Sequence, residues 1–230
     1  MTRVATIPMQ TTLASALSRS QQSLATSQMQ LATGKKATDY AGLGLDAVRT
    51  LSARSMLEQQ KTYQTVASTV STTLSLYDAN LNQMDSSLSD LRTQLMSALG
   101  TGDSPGLQSI VEGAFSDVRA SLNATSAGVP LFAGSQTADA PFLPETLSDT
   151  VGLDAADAFA NDDVHQSARI GDGVDVEYGI TASEVGTNLI PAFRTLAEAG
   201  PFGETLTEDQ KTAIRTALDP VSYTHLTLPT

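Results

Sequence analysis

Residues 45–99 read LDAVRTLSARSMLEQQKTYQTVASTVSTTLSLYDANLNQMDSSLSDLRTQLMSAL, with no glycine or proline between Gly44 and Gly100. A seven-residue repeat runs through most of the stretch. Leu74, Leu81, Leu88 and Leu95 form one row, and Met56, Tyr63, Val70, Tyr77, Met84, Leu91 and Ala98 form another. The rows interleave at spacings of three and four, the a/d pattern of a helix packed lengthwise against other helices. Tyr63, Val70, Leu74, Tyr77, Leu81, Met84, Leu88, Leu91 and Leu95 are the expected helix-packing seam. Unbroken, this helix spans roughly 80 Å at about 1.5 Å per residue. Such a stripe fits the inside of an ordinary bundle as well as the seam of a self-assembling rod, so periodicity leaves both open.

On the N-terminal side, residues 9–32 predict a first helix, with Thr6-Ile7-Pro8 at its start and Gly34 at its end. Leu13, Leu17, Leu24 and Leu31 share a face, but Ser20 and Ser27 interrupt the companion row. A stripe this narrow makes the helix marginal alone and dependent on neighbours. Gly34–Gly44 is a short polar link. On the C-terminal side, Gly100–Gly106 forms a turn, and Ser104 as cap with Pro105 behind it predicts a third helix. Its stripe, Leu107, Val111, Ala114, Val118, Leu122 and Thr125, ends near Gly128 and folds it back antiparallel on the long helix.

The composition changes at Gly128. Pro141 and Pro144 mark irregular chain. Val164–Ile170 and Val174–Ile180 alternate apolar and polar residues around Gly171-Asp172-Gly173, which predicts a β-hairpin. Helical pattern returns at Leu189–Ala199 and at Thr207–Leu218, where Thr207 and Gln210 are spaced for a capping box. The expected fold class is mainly α: a long antiparallel helical coiled-coil bundle with a small β-rich insert. Its expected segments are an N-terminal assembly helix (1–33, disordered in the monomer), a helical shaft (45–127), the insert (130–187) and a returning helical segment (188–218). Residues 219–230, ending VSYTHLTLPT, fit no pattern and are expected to be a non-native tail.

The 230 residues carry a net charge of −12 and no cysteine. Residues 139–209 hold fifteen Asp or Glu against Arg169 and Arg194, whereas residues 1–60 balance at +3. The acidic segment argues against nucleic acid and anionic membrane as partners. Without cysteine there is no disulfide, thiolate metal site or thiol nucleophile. Met1–Leu13 has no apolar signal region, and no run is apolar enough to span a bilayer. His165 and His225 stand alone, and Asp154, Asp157, Asp162 and Asp163 do not follow calcium-loop spacing. Gly171-Asp172-Gly173 lacks the Lys-Ser/Thr of a phosphate loop. The sequence offers no catalytic residue, metal site, cofactor or small-molecule substrate, which points away from an enzyme.

Leu31-Ala32-Thr33-Gly34-Lys35-Lys36, followed by Asp39 and the long helix, resembles the N-terminal region of bacterial flagellins. Leu131-Phe132-Ala133-Gly134-Ser135 with Pro141-Phe142, and Arg169–Gly173 with the strand after it, resemble the branch of that family found at the hook–filament junction. Two departures stand out: Asp39 is followed by Tyr40 instead of a second Asp, and the link after Gly34 is short. The long C-terminal helical region of the family is also missing after Leu218, so a truncated C-terminus is expected.

The resemblance implies an extracellular structural subunit of the bacterial flagellum, exported unfolded by the flagellar type III apparatus without a cleaved signal. It would join hook to filament by packing its terminal helices. Its implied partners are copies of itself, other axial proteins (a hook-associated protein, flagellin) and an export chaperone. The alternatives are a flagellin filament subunit and, in a different class, a secreted coiled-coil adhesin or effector.

Overall fold

A computed structural model describes residues 6–223, with side-chain surroundings for residues 8–218. Most of the expected tail, 219–230, therefore lies outside the described residues. The chain divides into two compact units, Met1–Lys61 and Thr62–Thr230.

In the first unit α1 spans Thr6–Thr33. Gly34 ends it: its φ of +65° is the left-handed conformation that suits glycine, and its N–H donates to the Gln30 carbonyl at 2.8 Å. The link then makes one 3-10 turn, Ala41–Leu43. The second helix, α2, spans Asp46–Thr101, and residues 46–61 of it belong to this unit. The described part of α1 is exposed along its whole length.

The second unit contains the core. On α2, Val70, Tyr77, Leu81, Met84, Leu88, Leu91, Leu95 and Ala98 are buried, while Tyr63 and Leu74 are half-buried. Helix α3 (Leu107–Leu122) buries Leu107, Val111, Ala114, Phe115, Val118, Ser121 and Leu122. The Ser87 hydroxyl on α2 donates to Asp117 Oδ2 on α3 at 2.6 Å. Since these residues lie on opposite sides of the connecting turn, the two helices run antiparallel.

Helix α3 starts later than Ser104-Pro105 suggests. Ser104 does not cap it; Gly106, with φ +73°, stands at that position. Instead Ser104 is buried, its hydroxyl donates to the Gly203 carbonyl at 2.9 Å, and its N–H donates to the Glu204 carbonyl at 2.7 Å. A bond to a segment a hundred residues away takes the place of the local cap, because burial of Ser104 demands partners for its polar atoms.

After α3 come β1 (Thr125–Ser126) and β2 (Val129–Pro130), paired antiparallel. Ala127 and Gly128 between them have φ of 51° and 83°, the conformation of a tight two-residue hairpin. Strands β3 (Gln166–Gly171) and β4 (Val174–Tyr178) form the expected hairpin, with Ala168 opposite Val176 and a register shift between Arg169 and Gly171. Helices α4 (Ala182–Gly186), α5 (Ile190–Ala199) and α6 (Glu208–Tyr223) complete the chain.

The Thr207–Gln210 capping box forms in both directions, at 3.1 and 3.2 Å. Residues from α5 and α6 (Ile190, Phe193, Leu196, Ile214 and Ala217) share one buried cluster with α2 and α3. The architecture is mainly α.

Leu88→Asp puts an unpaired carboxylate into this cluster and should lower stability by about 3 kcal/mol or more, hence the melting temperature by about 6 °C or more. Leu57→Asp, at an exposed position of the same helix, should change stability by less than about 0.5 kcal/mol. Thermal melts of the two variants read this contrast directly, and equal melts would remove Leu88 from the seam.

Candidate functional site

The Leu131–Phe142 motif is seated against α2 at Tyr77 and against α3 at Phe115. Tyr77 is buried, and its ring meets Phe132 edge-on at 4.9 Å between centroids. Its hydroxyl donates to the Leu131 carbonyl. Burial, with Tyr178 close by, pushes the Tyr77 phenol up to about 12, so it stays protonated and able to donate. Leu131 also donates its N–H to Ala124 at 2.9 Å, and Phe132 accepts from the Ala182 N–H at 2.9 Å. Phe142 is buried between Phe115 and Phe159, at 5.9 and 5.5 Å. Asn123 holds both of its backbone polar groups, accepting from its N–H at 2.9 Å and donating to its carbonyl at 3.0 Å.

Gly134 has a reason to be glycine. Its φ is +64°, and a Cβ there would lie 2.2 Å from Asp162 Oδ1 and 2.8 Å from the Asp162 carbonyl. The space is taken because Asp162 ties two loops together. Its carboxylate accepts from the Ser135 N–H at 2.8 Å, from the Ser135 hydroxyl and from the Val164 N–H at 3.3 Å. The Ser135 hydroxyl and N–H together hold the Asp162 carboxyl down at about 2. Pro141 is buried, and its carbonyl accepts from the Ala160 N–H at 2.9 Å. The motif is thus a structural seat.

The other motif residues lie in the first unit. Asp39 Oδ1 accepts from the Gly42 N–H at 2.7 Å and so closes the 3-10 turn. Lys36 pairs with Asp46 at 2.6 Å with both side chains largely exposed, a pair of small net value. The Arg54 guanidinium donates to the Tyr40 hydroxyl at 2.6 Å. The Lys35 side chain is exposed, and the Lys35 N–H reaches Thr33 Oγ1 at 3.4 Å.

The apolar row of α1 has no cover within the described chain. Leu13, Leu17 and Leu24 are about 60% exposed and Leu31 is 88% exposed; Leu45, Val48, Met56 and Leu57 around the start of α2 are exposed as well. Single exposed apolar side chains are ordinary; here they recur at heptad spacing along one helix.

Among the described residues, no group of three or more His, Cys, Asp or Glu could hold a metal ion, and no helix is long and apolar enough to cross a membrane. His165 Nε2 lies 3.2 Å from Glu184 Oε1. Partial burial pushes the Glu184 carboxyl up, but bonds from the Thr181 N–H and hydroxyl and the nearby His165 outweigh it and hold the group low. Thr181 is itself the cap of α4, so the carboxylate is engaged in local structure.

Sequence reasoning missed the Tyr77 hydroxyl and Asn123 and gave Ser104 a local role as cap; the partners of all three are distant in sequence. It also missed the Thr181–Glu184 capping box, whose spacing was a usable signal.

The second unit is thus a long helix with a folded-back partner and a seated irregular segment. Solved structures share this fold. A structure assigned to a flagellar hook-associated protein from Vibrio parahaemolyticus matches with a TM-score of 0.65 and 16% identity over 82% of each chain. FlgL from Bacillus cereus matches with a TM-score of 0.56 and 15% identity, over 76% of this chain and 85% of FlgL. No protein-family model matches the sequence, and no curated protein matches it significantly.

Asp162 gives a pH test. Its carboxyl is lowered from 3.8 to about 2 in the fold, so the stability it contributes is full above the unfolded value and is lost as pH falls through the folded one. The melting advantage of the wild type over Asp162→Asn should be constant at neutral pH and shrink between about pH 4 and pH 2. An advantage that stays flat down to pH 2 would contradict the tie.

Proposed function

We propose that this chain is a structural subunit of the bacterial flagellum that joins hook to filament. The observation that carries the proposal is the shared fold with the Vibrio parahaemolyticus hook-associated protein and Bacillus cereus FlgL over most of their length. The uncovered apolar row of α1 supports it independently, because that helix buries nothing within its own described chain. In this reading the chain leaves the cell by the flagellar export route, and residues 1–33 become packed only against other axial subunits. Residues 45–127 act as the shaft, with the Tyr63–Leu95 seam inside it. Residues 130–187 form the outward insert, and 188–218 the returning segment. The partners are copies of the chain, a hook-associated protein and flagellin, with a chaperone before export. The work is mechanical: no catalytic step, cofactor or small-molecule substrate is involved.

Loss of the gene separates this from the alternatives. A junction protein leaves cells with hooks, no filaments and filament protein released into the medium. Absence of released filament protein would instead assign the chain to the filament itself. Normal filaments would favour a secreted coiled-coil adhesin or effector.

Leu17→Ser with Leu24→Ser tests the assembly helix. Both positions are exposed, so the melting temperature should stay within about 2 °C, while incorporation into flagella should fall at least tenfold. Unimpaired incorporation would remove α1 from the interface.

A further inference from the structure

Helix α1 carries two interleaved rows of unequal size. Leu17, Leu24 and Leu31 fill the a positions of its repeat, and Leu13, Ser20 and Ser27 fill the d positions. All of them are exposed in the described chain. Two helices packed lengthwise stack such positions in layers, and the direction of the partner decides which residues share a layer.

In a parallel pair of copies like meets like. Leu17, Leu24 and Leu31 face their own counterparts, and so do Ser20 and Ser27. Layers that hold only serine are small and polar, and they leave voids between the leucine layers. In an antiparallel pair the a positions face the d positions instead. One register then matches every layer: Leu17 meets Ser27, Leu24 meets Ser20, and Leu31 meets Leu13. Each serine receives a leucine of the other copy, so large side chains interdigitate with small ones.

The flanks do not oppose this register. Between Leu13 and Leu31 the e and g positions are Ala, Ser or Gln, and Arg19, at a c position, is the only charged residue from Thr6 to Thr33. Charges at e and g ordinarily choose partner and direction; in α1 that choice is left to side-chain size. The exposed leucines of two copies together present roughly several hundred Å² of apolar surface, the size at which a patch marks an interaction site.

We infer that in the free protein α1 docks antiparallel on α1 of a second copy, with Leu17 of one seated on Ser27 of the other. This rests on the proposed role of α1 as an assembly surface, and it names the occupant. The contact is two-fold, so it closes on itself and leaves no face for a third copy. The pair is a resting form that hides the apolar row, and it must part before α1 enters a longer assembly.

Single cysteines test the pairing in the full chain, which has none of its own. Helix axes about 8–10 Å apart bring facing Cα atoms to about 4–6 Å, within disulfide reach. Leu17→Cys and Ser27→Cys, mixed in equal amounts in a glutathione redox buffer, should form at least about tenfold more cross-linked dimer than either variant alone. Alone, each variant sets its two cysteines about 15 Å apart along the axis, at about 1.5 Å per residue. Adding Leu24→Ser to both should cut the yield at least about tenfold. Because Leu24 is exposed, the melting temperature should stay within about 2 °C.

Cross-linking by Ser27→Cys alone would show a parallel pair. A mixture that cross-links no better than its parts, or one indifferent to Leu24→Ser, would put the partner of α1 elsewhere. Each of these results would overturn the pairing. The assembly role of α1 is read separately, from incorporation of Leu17→Ser with Leu24→Ser into flagella.

Discussion

Tyr77 joins two kinds of structure that obey different rules. As a heptad residue it belongs to the apolar seam of α2, where any large side chain of the right shape would serve. Its hydroxyl makes it irreplaceable in kind: it reaches the Leu131 carbonyl, and its ring fixes Phe132. Once Leu131 and Phe132 are fixed, the Ala182 N–H has its acceptor and α4 has its position. Phe142 follows through Asn123 at the end of α3, and Phe159 through Phe142. A chain of contacts that begins on one helix thereby orders an irregular segment with little secondary structure of its own.

The fold leaves apolar surface uncovered. From Leu13 to Leu57 the described chain places leucines and methionines of the apolar rows in solvent, while from Val70 onward the heptad positions of α2 are buried except Leu74, which is half-buried. Burying such side chains yields about 25 cal/mol per Å², so the exposed row is a reservoir that assembly can draw on. A helix with one narrow stripe and no acidic or basic end residues has little else to hold it. The proposed flagellar role puts that reservoir to use.

What the sequence made legible was local. The Leu45–Leu99 repeat, the alternation around Gly171-Asp172-Gly173 and the Thr207–Gln210 box each act within a few residues, and each appears in the fold within a residue or two of its expected bounds. Ser104 was misread because its partners, Gly203 and Glu204, are brought to it only by tertiary folding. The Ala127-Gly128 turn escaped notice because alanine seldom adopts a positive φ. Gly134 was visible as part of a motif, but its necessity comes from Asp162, a residue that the sequence offered only as one of four aspartates in an acidic loop. The apolar row of α1 was legible as weak; that it finds no cover in the described chain required the structure.

The central claim is that this chain stands between hook and filament. Gold-labelled antibody against residues 130–187, imaged by electron microscopy on flagella purified from the source bacterium, tests it most directly. The account predicts label confined to a narrow zone where hook meets filament. Label along the whole filament, or flagella without label, would contradict it.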